Sequence, residues 1–411
     1  MKDSGISWVG EIPTNWTIGR IGGLYSLRNQ KVSDKDYEPL SVTMKGVLPQ
    51  LETAAKTNDG DNRKLVRKGD FAINSRSDRR GSCGIADRDG SVSLINTILK
   101  PRNQMNARYY NWLFHTPMFA DEFYKWGHGI VDDLWSTNWE EMKKIQIPVP
   151  SCAEQQRIAE FLDRECGKID GLKADIQAQI DTLEQYKRSI ITEAVTHGLN
   201  PSAPMKDSGI NYISEHPIHW SLRRLKYILN ERNERSVTGT EELLSVSLYK
   251  GVIPSTEMTN RTMQADSLIG YKRVHKGDLV FNKLNPGMAR FGCSDYDGIT
   301  SPDFAVYIVN ENYCNAKFLQ YLLKTDFYVE KIKSVSMGVG DGFTRLYSNQ
   351  LYEFFVALPP RDEVSIIINY LDNKCAEIEQ IIADKKSQIE TLDGYKKSLI
   401  YEYVTGKKEV V

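Results

Sequence analysis

The chain has 411 residues, of which 40% are hydrophobic and 26% charged, and its formal net charge is −1. This composition is typical of globular proteins, and the length predicts two to three domains. No run of about 18 apolar residues occurs, which argues against a membrane-spanning helix. The polar N-terminus predicts no secretory signal. The six cysteines form no C-x-x-C pair, which argues against a zinc ribbon and favours a reducing, cytoplasmic location.

The chain opens with a motif that it later repeats. The hexapeptide MKDSGI at residues 1–6 returns at residues 205–210, and Trp16 is answered by Trp220. A period near half the chain is too long for a solenoid unit. We therefore predict two copies of one architecture, related as a pseudo-twofold internal repeat.

The first part of each copy mixes strand-like runs with short helical segments, which predicts α+β domains. Alternating runs at residues 40–44 and 244–248 predict strands, and a Lys-Gly pair follows each as an expected turn. A second matched unit, at residues 68–74 and 276–282, predicts a turn that feeds a buried strand ending on asparagine.

Helical segments are predicted at residues 107–114 and 316–323. The aromatic residues Tyr109, Trp112 and Phe114 of the first segment are interpreted as core, because Phe318, Tyr321 and Leu323 match them in the second copy. Platforms for base stacking are the alternative.

A long helical segment ends each copy. Ser151 and Glu154 predict a capping box at the start of the first, and Gly198 and Gly406 stand where C-terminal caps belong. Apolar residues spaced by three and four predict a coiled-coil seam. The predicted seam residues are Leu162, Ile169, Ile176, Ile180 and Leu183 in the first helix and Leu371, Ile378, Ile382, Ile389 and Leu392 in the second.

These signals predict two globular domains joined by two long helices that form an antiparallel coiled coil. The antiparallel direction follows because only a short linker separates the first helix from the second domain, whose two ends are expected to lie close together. The predicted divisions are a first domain at 1–150, a central helix at 151–198, a linker at 199–204, a second domain at 205–360, a distal helix at 361–406 and a tail at 407–411.

The sequence lacks the common signatures of catalysis. It has no G-x-x-x-x-G-K-[ST] phosphate loop, no G-x-S-x-G elbow and no H-x-x-x-H pair. The glycine-rich stretch at 338–342 is interpreted as a flexible binding loop, and Pro302-Asp303 as a structural turn. We therefore predict a chain that is not an enzyme and binds no metal or cofactor.

The remaining polar residues suit recognition. Residues 61–108 hold 11 Lys/Arg against 5 Asp/Glu. Asparagine can bond adenine, arginine can bond guanine, and lysine reaches phosphates. The candidate DNA-binding residues are Lys45, Asn74, Arg76, Arg79, Arg80 and His128 in the first copy and Lys250, Asn282, Lys283, Arg290 and Arg345 in the second. Ordinary polar strand ends and turns are the alternative interpretation.

With these features, the chain resembles the specificity subunit of type I restriction–modification enzymes. The resemblance covers essentially the whole chain and is carried by Gly10-Glu11-Ile12-Pro13 with Trp16, and by the stretch from Ile147 to Asp163. The second copy departs at residues 213–217, and residues 361–366 replace the Glu-Gln-Gln run of the first copy.

The resemblance implies a non-catalytic subunit whose two target-recognition domains each read one half of a split double-stranded DNA sequence. It implies two methyltransferase (M) subunits and two restriction/translocase (R) subunits as partners. S-adenosylmethionine, ATP and Mg would be bound by those partners and no cofactor by this chain. The alternatives are a two-domain protein-binding adaptor built on the same coil and an enzyme with an unfamiliar site. Only DNA binding predicts a steep salt dependence in a gel shift.

Overall fold

The structure is a computed structural model that describes residues 1–50, 60–102, 105–129, 135–247, 251–258, 267–338 and 342–410. The chain divides into two compact units, residues 1–177 with 386–411 and residues 178–385. Each unit therefore contains one sheet-bearing region, about half of the first long helix and about half of the second. The linear domain divisions made from the sequence stay a prediction.

The first unit is built around an antiparallel sheet in the order β10-β9-β12-β4. Its strands are β1 (Lys2–Asp3), β2 (Glu11–Ile12), β3 (Thr17–Arg20), β4 (Tyr25–Arg28), β5 (Lys31–Val32), β6 (Leu40–Thr43), β7 (Gly46–Pro49), β8 (Arg63–Val66), β9 (Phe71–Asn74), β10 (Cys83–Ile85), β11 (Gly90–Val92), β12 (Asn96–Pro101) and β13 (Gln146–Val149). Its helices are α1 (Ile21–Leu24), α2 (Ala107–Phe114), α3 (Pro117–Lys125), α4 (Trp139–Met142) and the first half of α5 (Cys152–Thr196).

The second unit repeats this sheet as β22-β21-β24-β17. Its strands are β14 (Met205–Ile210), β15 (Ile213–Pro217), β16 (Ser221–Arg224), β17 (Leu229–Glu231), β18 (Leu244–Ser247), β19 (Gly251–Pro254), β20 (Lys272–Val274), β21 (Leu279–Asn282), β22 (Phe291–Cys293), β23 (Gly298–Thr300), β24 (Phe304–Val309), β25 (Met337–Gly338), β26 (Thr344–Arg345) and β27 (Phe355–Leu358). Its helices are α6 (Ala316–Leu323), α7 (Asp326–Val335), α8 (Ser348–Tyr352) and the first half of α9 (Arg361–Val404).

The internal repeat extends to individual ion pairs. The Arg28 guanidinium bonds both carboxylate oxygens of Asp70 at 2.5 and 3.0 Å, and Arg232 bonds those of Asp278 at 2.8 and 2.9 Å. Each aspartate is buried and follows the Lys-Gly turn that precedes the central strand. The same bidentate pair therefore fixes the start of β9 in one unit and of β21 in the other.

Equivalent aromatic residues attach the short helices to the long ones. Trp112 Nε1 donates to Asp163 Oδ1 at 2.8 Å, and the Tyr321 hydroxyl donates to Asp372 Oδ1 at the same distance. Tyr109 is buried in the core, as predicted. The half-buried Trp112 ring thus serves to join α2 to α5.

Helices α5 and α9 pack together as an antiparallel coiled coil, and the mixed helix-and-sheet fold class is confirmed. In the first unit the early part of α5 pairs with the late part of α9, where Lys396 Nζ lies 2.7 Å from Asp170 Oδ1. In the second unit the late part of α5 pairs with the early part of α9, where Lys187 bonds Glu379. These two ion pairs occupy matched positions of the repeat.

The ten predicted seam residues all lie on α5 or α9, and none is exposed. The buried ones are Leu162, Ile169, Ile180, Leu371, Ile378 and Ile382, and the half-buried ones are Ile176, Leu183, Ile389 and Leu392. Two lysines interrupt this apolar stripe and bond across it. Lys173 bonds Asp393, and Lys385 Nζ donates to Gln179 Oε1 at 2.5 Å. Each ammonium group therefore has a polar partner on the facing helix.

The ends of the long helices contact the sheet-bearing regions through a repeated arrangement. Glu154 forms the predicted capping box with Ser151 and also accepts from Trp16 Nε1 at 3.1 Å. Glu363 likewise accepts from Trp220 Nε1 at 3.2 Å. The second copy therefore keeps this contact, although its sequence departs from the first copy at residues 361–366.

Each long helix ends just before a glycine that lies beside one of two matched tryptophans, Trp16 and Trp220. Helix α9 ends two residues before Gly406 (φ +72°), and a Cβ at Gly406 would lie 3.1 Å from the Trp16 ring. Helix α5 ends two residues before Gly198 (φ +78°), and a Cβ at that position would lie 3.3 Å from the Trp220 ring. Both positions favour glycine, because the left-handed backbone is costly for other residues.

Candidate nucleic-acid interface

The candidate site begins at the loop that follows the central strand of each unit. The Asn74 side-chain oxygen accepts the backbone N–H of Arg76 at 3.0 Å, and the Asn282 oxygen accepts that of Leu284 at 2.9 Å. The backbone N–H of Asn74 donates to the carbonyl of Ser82, 2.9 Å away, which closes the loop. The oxygen of each asparagine thus shapes the loop, a role that the sequence interpretation missed.

A second loop, which precedes α4 or α8, joins this strand-end loop in each unit. Arg76 forms a β-bridge with Ser136, and Leu284 forms the matched bridge with Arg345. The backbone of His128 exchanges two hydrogen bonds with Ser136, at 3.0 and 3.1 Å. The strand-end loop and the loop that precedes α4 or α8 are therefore joined by backbone contacts within each unit.

The second unit completes this surface differently from the first. Gly338, the first residue of the stretch interpreted as a flexible binding loop, forms the short strand β25 with Met337, and this strand pairs with β26. The pairing places Arg345 opposite Met337. Leu346 N–H also donates to the Lys283 carbonyl at 3.0 Å. Lys283 and Arg345 are thereby held on neighbouring segments.

The first unit presents mainly exposed cations. Arg79 is 68% exposed and lies 3.6 Å from Asp78. Arg80 is 52% exposed, pairs with Asp121 and holds its guanidinium carbon 5.8 Å from the centre of the Tyr124 ring. His128 and Lys45 are also exposed, and Lys45 lies at the β6–β7 turn. Exposed ion pairs stabilise a fold little, so these groups remain available to phosphates or bases.

The second unit presents a half-buried polar network instead. Lys272 Nζ lies 2.8 Å from Glu231 Oε1, and Glu231 Oε2 accepts from the Ser348 hydroxyl at 2.6 Å. Burial, and then the neighbouring Lys272 ammonium, lower the pKa of Lys283. Since desolvation and like charges both disfavour the charged form, a further anion would stabilise it there.

Arg345 borders the same network. Its Nη2 lies 3.4 Å from Asp303 Oδ1, and its Nε is buried without a hydrogen-bond partner among the described residues. Arg290 is exposed. The candidate Lys250 lies outside the described residues. The sequence interpretation missed Glu231 and Lys272, and it assigned Asp303 only to a structural turn.

The described ranges also limit other chemistry. Within them, no group of three or more His, Cys, Asp or Glu side chains is placed to hold a metal ion. None of the six cysteines, all of which are described, is joined in a disulfide. No helix in the described part of the chain combines the length and the apolar character needed to cross a membrane.

Comparisons with known proteins point in one direction. A family model, the type I restriction modification DNA specificity domain, matches residues 13–182. The chain is 22% identical to the type I restriction enzyme MjaVIII specificity subunit of Methanocaldococcus jannaschii, over 97% of this chain and 94% of that protein. It is 25% identical to the putative MjaX specificity subunit of the same organism, over 67% of this chain and 62% of that protein.

Solved structures share the fold. A chain from a structural study of complex assembly and conformational transition in the type I R-M system superposes with a TM-score of 0.70 at 12% identity, covering 97% of this chain and 100% of that one. The HsdS subunit from Thermoanaerobacter tengcongensis superposes with a TM-score of 0.50 at 13% identity, over 97% and 98% of the two chains.

Proposed function

Since the chain belongs to the family of type I restriction–modification specificity subunits, we propose that it reads a DNA target in two halves, one for each unit. Its role is DNA recognition within a restriction–modification complex, and catalysis is not the task of this subunit. The proposal concerns how this chain performs that recognition.

The duplicated strand-end loop is the observation that carries the proposal. In both units an asparagine oxygen shapes the loop, and a second loop bridges to it at matched positions. The side chains at those positions differ, since Arg76 is replaced by Leu284 and Ser136 by Arg345. A repeated scaffold that carries different side chains suits the reading of two different half-sites.

We assign the candidate residues to the half-sites by unit. One half-site would be read by Lys45, Arg76, Arg79, Arg80 and His128, and the other by Lys250, Lys283, Arg290 and Arg345. The oxygens of Asn74 and Asn282 would hold the loops that carry several of these side chains. The exposed guanidinium groups suit guanine edges and phosphates. The half-buried cations of the second unit suit a phosphate, which would offset their mutual repulsion.

The partners and cofactors complete the proposal. Two M subunits would bind the coiled coil and supply S-adenosylmethionine, and two R subunits would supply ATP and Mg chemistry. This chain would bind none of these cofactors itself. Its location would be the cytoplasm, where its DNA substrate and partner subunits reside.

Methylation mapping of the chain assembled with its M subunits tests the proposal. Arg79→Ala with Arg80→Ala should relax one half of the methylated sequence, and Lys283→Ala with Arg290→Ala should relax the other. Removal of a side chain that reads a base should weaken binding by about 1–3 kcal/mol. Lys100→Ala is a matched control, because it removes an exposed charge from β12 about 13 Å along the strand from Asn96.

The outcome distinguishes independent readers from a single one. If either double variant alters both halves together, or neither variant alters any, the assignment of one half-site to each unit is wrong. A gel shift across salt concentrations provides a second readout, since a protein that binds fewer phosphates has a smaller salt slope of binding.

A further inference from the structure

Two neighbouring apolar side chains are exposed on the candidate interface of the first unit. Leu94 and Ile95 are each 39% exposed, in the turn between β11 and β12. The Ser75 N–H donates to the Ile95 carbonyl at 3.2 Å, and the Ser75 hydroxyl bonds the same oxygen. Ile95 is thus held beside the residue that follows Asn74, at the root of the strand-end loop.

The second unit has a charged residue at the same place. Asn74 pairs with Asn96 and Asn282 pairs with Phe304 in the matched sheets. By that register, Ile95 corresponds to Asp303, whose carboxylate is 57% exposed and pairs with Arg345. The two units share the scaffold, while this side chain changes from aliphatic to acidic. The scaffold therefore accepts different side chains at this position.

The surroundings of Leu94 and Ile95 indicate the chemistry of the ligand. The loop that Ser75 begins carries three arginines, Arg76, Arg79 and Arg80. A ligand that contacts both kinds of side chain would combine negative charge with a small apolar group. Duplex DNA meets both conditions, because its major groove presents the thymine methyl as its one apolar group beside the phosphates.

We propose that Leu94 and Ile95 contact a thymine methyl in the half-site read by the first unit and are specificity-determining residues. This inference rests on the proposed function and deepens it, since it commits that half-site to a thymine.

Replacement of thymine by uracil tests the inference, because uracil lacks only the methyl group. The chain is assembled with its M subunits, the target is mapped by methylation, and each target thymine is replaced singly in a duplex probe. Replacement of at least one thymine should weaken binding about fourfold, which is the effect of one buried methyl-sized group. Every thymine that shows this effect should lie in the same half of the target. The Leu94→Ala/Ile95→Ala variant should bind the thymine and uracil probes equally.

Lys100→Ala, at an exposed position on β12, is the control and should keep the wild-type preference for thymine. If no uracil substitution weakens binding, or if the double alanine variant keeps the preference, the inference is wrong. The inference is also wrong if the variant lowers the affinity for both probes by the same factor, or if it releases the M subunits. Either outcome assigns the two side chains to a protein contact. Thermal unfolding confirms that the variants are folded. If the wild-type complex itself prefers no DNA sequence, the proposed function is contradicted.

Discussion

Ile180→Asp places a carboxylate inside the coiled coil of the second unit. Ile180 is 1% exposed, in the half of α5 that pairs with the first half of α9. The substitution removes an aliphatic side chain from the apolar stripe and replaces it with a group that needs water or a counter-ion. It therefore tests directly whether this stripe holds the two helices together.

Two terms set the expected size of the effect. Loss of a buried isoleucine costs about 2–5 kcal/mol, and burial of an unpaired carboxylate adds a penalty of several kcal/mol. Partial relaxation of the helices reduces the sum, so we expect a loss of about 4 kcal/mol or more. For a unit of this size that lowers the unfolding midpoint by about 10 °C.

The defect should also depend on pH. Burial raises the folded-state pKa of the new carboxyl group above its unfolded value of about 3.9. The protonated form is the one that the folded state tolerates. Below the unfolded pKa the electrostatic penalty is therefore absent, and it grows as the pH rises through the folded pKa. The variant should lie closer to the wild type at pH 4.5 than at pH 7.5.

Ala178→Asp is the matched control, because it adds the same charge two residues away at an exposed position. Thermal unfolding followed by circular dichroism at both pH values measures the two variants side by side. If Ile180→Asp unfolds within about 1 kcal/mol of Ala178→Asp, a difference typical of a surface substitution, the reasoning that the stripe is buried between helices is refuted.

Three further predictions concern other contacts. Asp70→Asn should destabilise the first unit by about 2–3 kcal/mol in chemical denaturation, because Arg28 loses its counter-ion, and an unchanged midpoint would contradict this. Gly406→Ala should cost at least about 1 kcal/mol for its left-handed backbone, and wild-type stability would show that this helix end tolerates a Cβ. The thiols of Cys166 and Cys293, whose pKa burial raises to about 11, should resist alkylation at pH 8 until the protein is unfolded, as mass spectrometry would detect.

The helices and the repeat were predictable because their signals are local or duplicated. The three-and-four spacing that includes Ile169 and Ile180 predicts one helix face without knowledge of what it contacts. Ser151 and Glu154 lie one turn apart, so their capping box is legible from four residues. The duplication supported the strand predictions, since the strand predicted to end at Asn74 has a copy predicted to end at Asn282.

The contacts that define the candidate site were not predictable in the same way. The partner of Asp70 lies 42 residues away at Arg28, and no periodicity connects two such positions. Asn74 was interpreted as a base-reading residue because its amide suits adenine, yet its oxygen bonds the backbone two residues on. A side chain with two plausible uses is assigned only when its neighbours are in place.

The division of the chain has a consequence for the order in which the protein is made. Residues of the first unit come from both ends of the chain, and the Tyr109 hydroxyl donates to the carbonyl of Val404, 295 positions later, at 2.7 Å. At about 5–20 residues per second, a ribosome needs about 15–60 s to cover that separation. The second unit is a continuous segment, residues 178–385. Translation therefore supplies every residue of the second unit before the first unit can close.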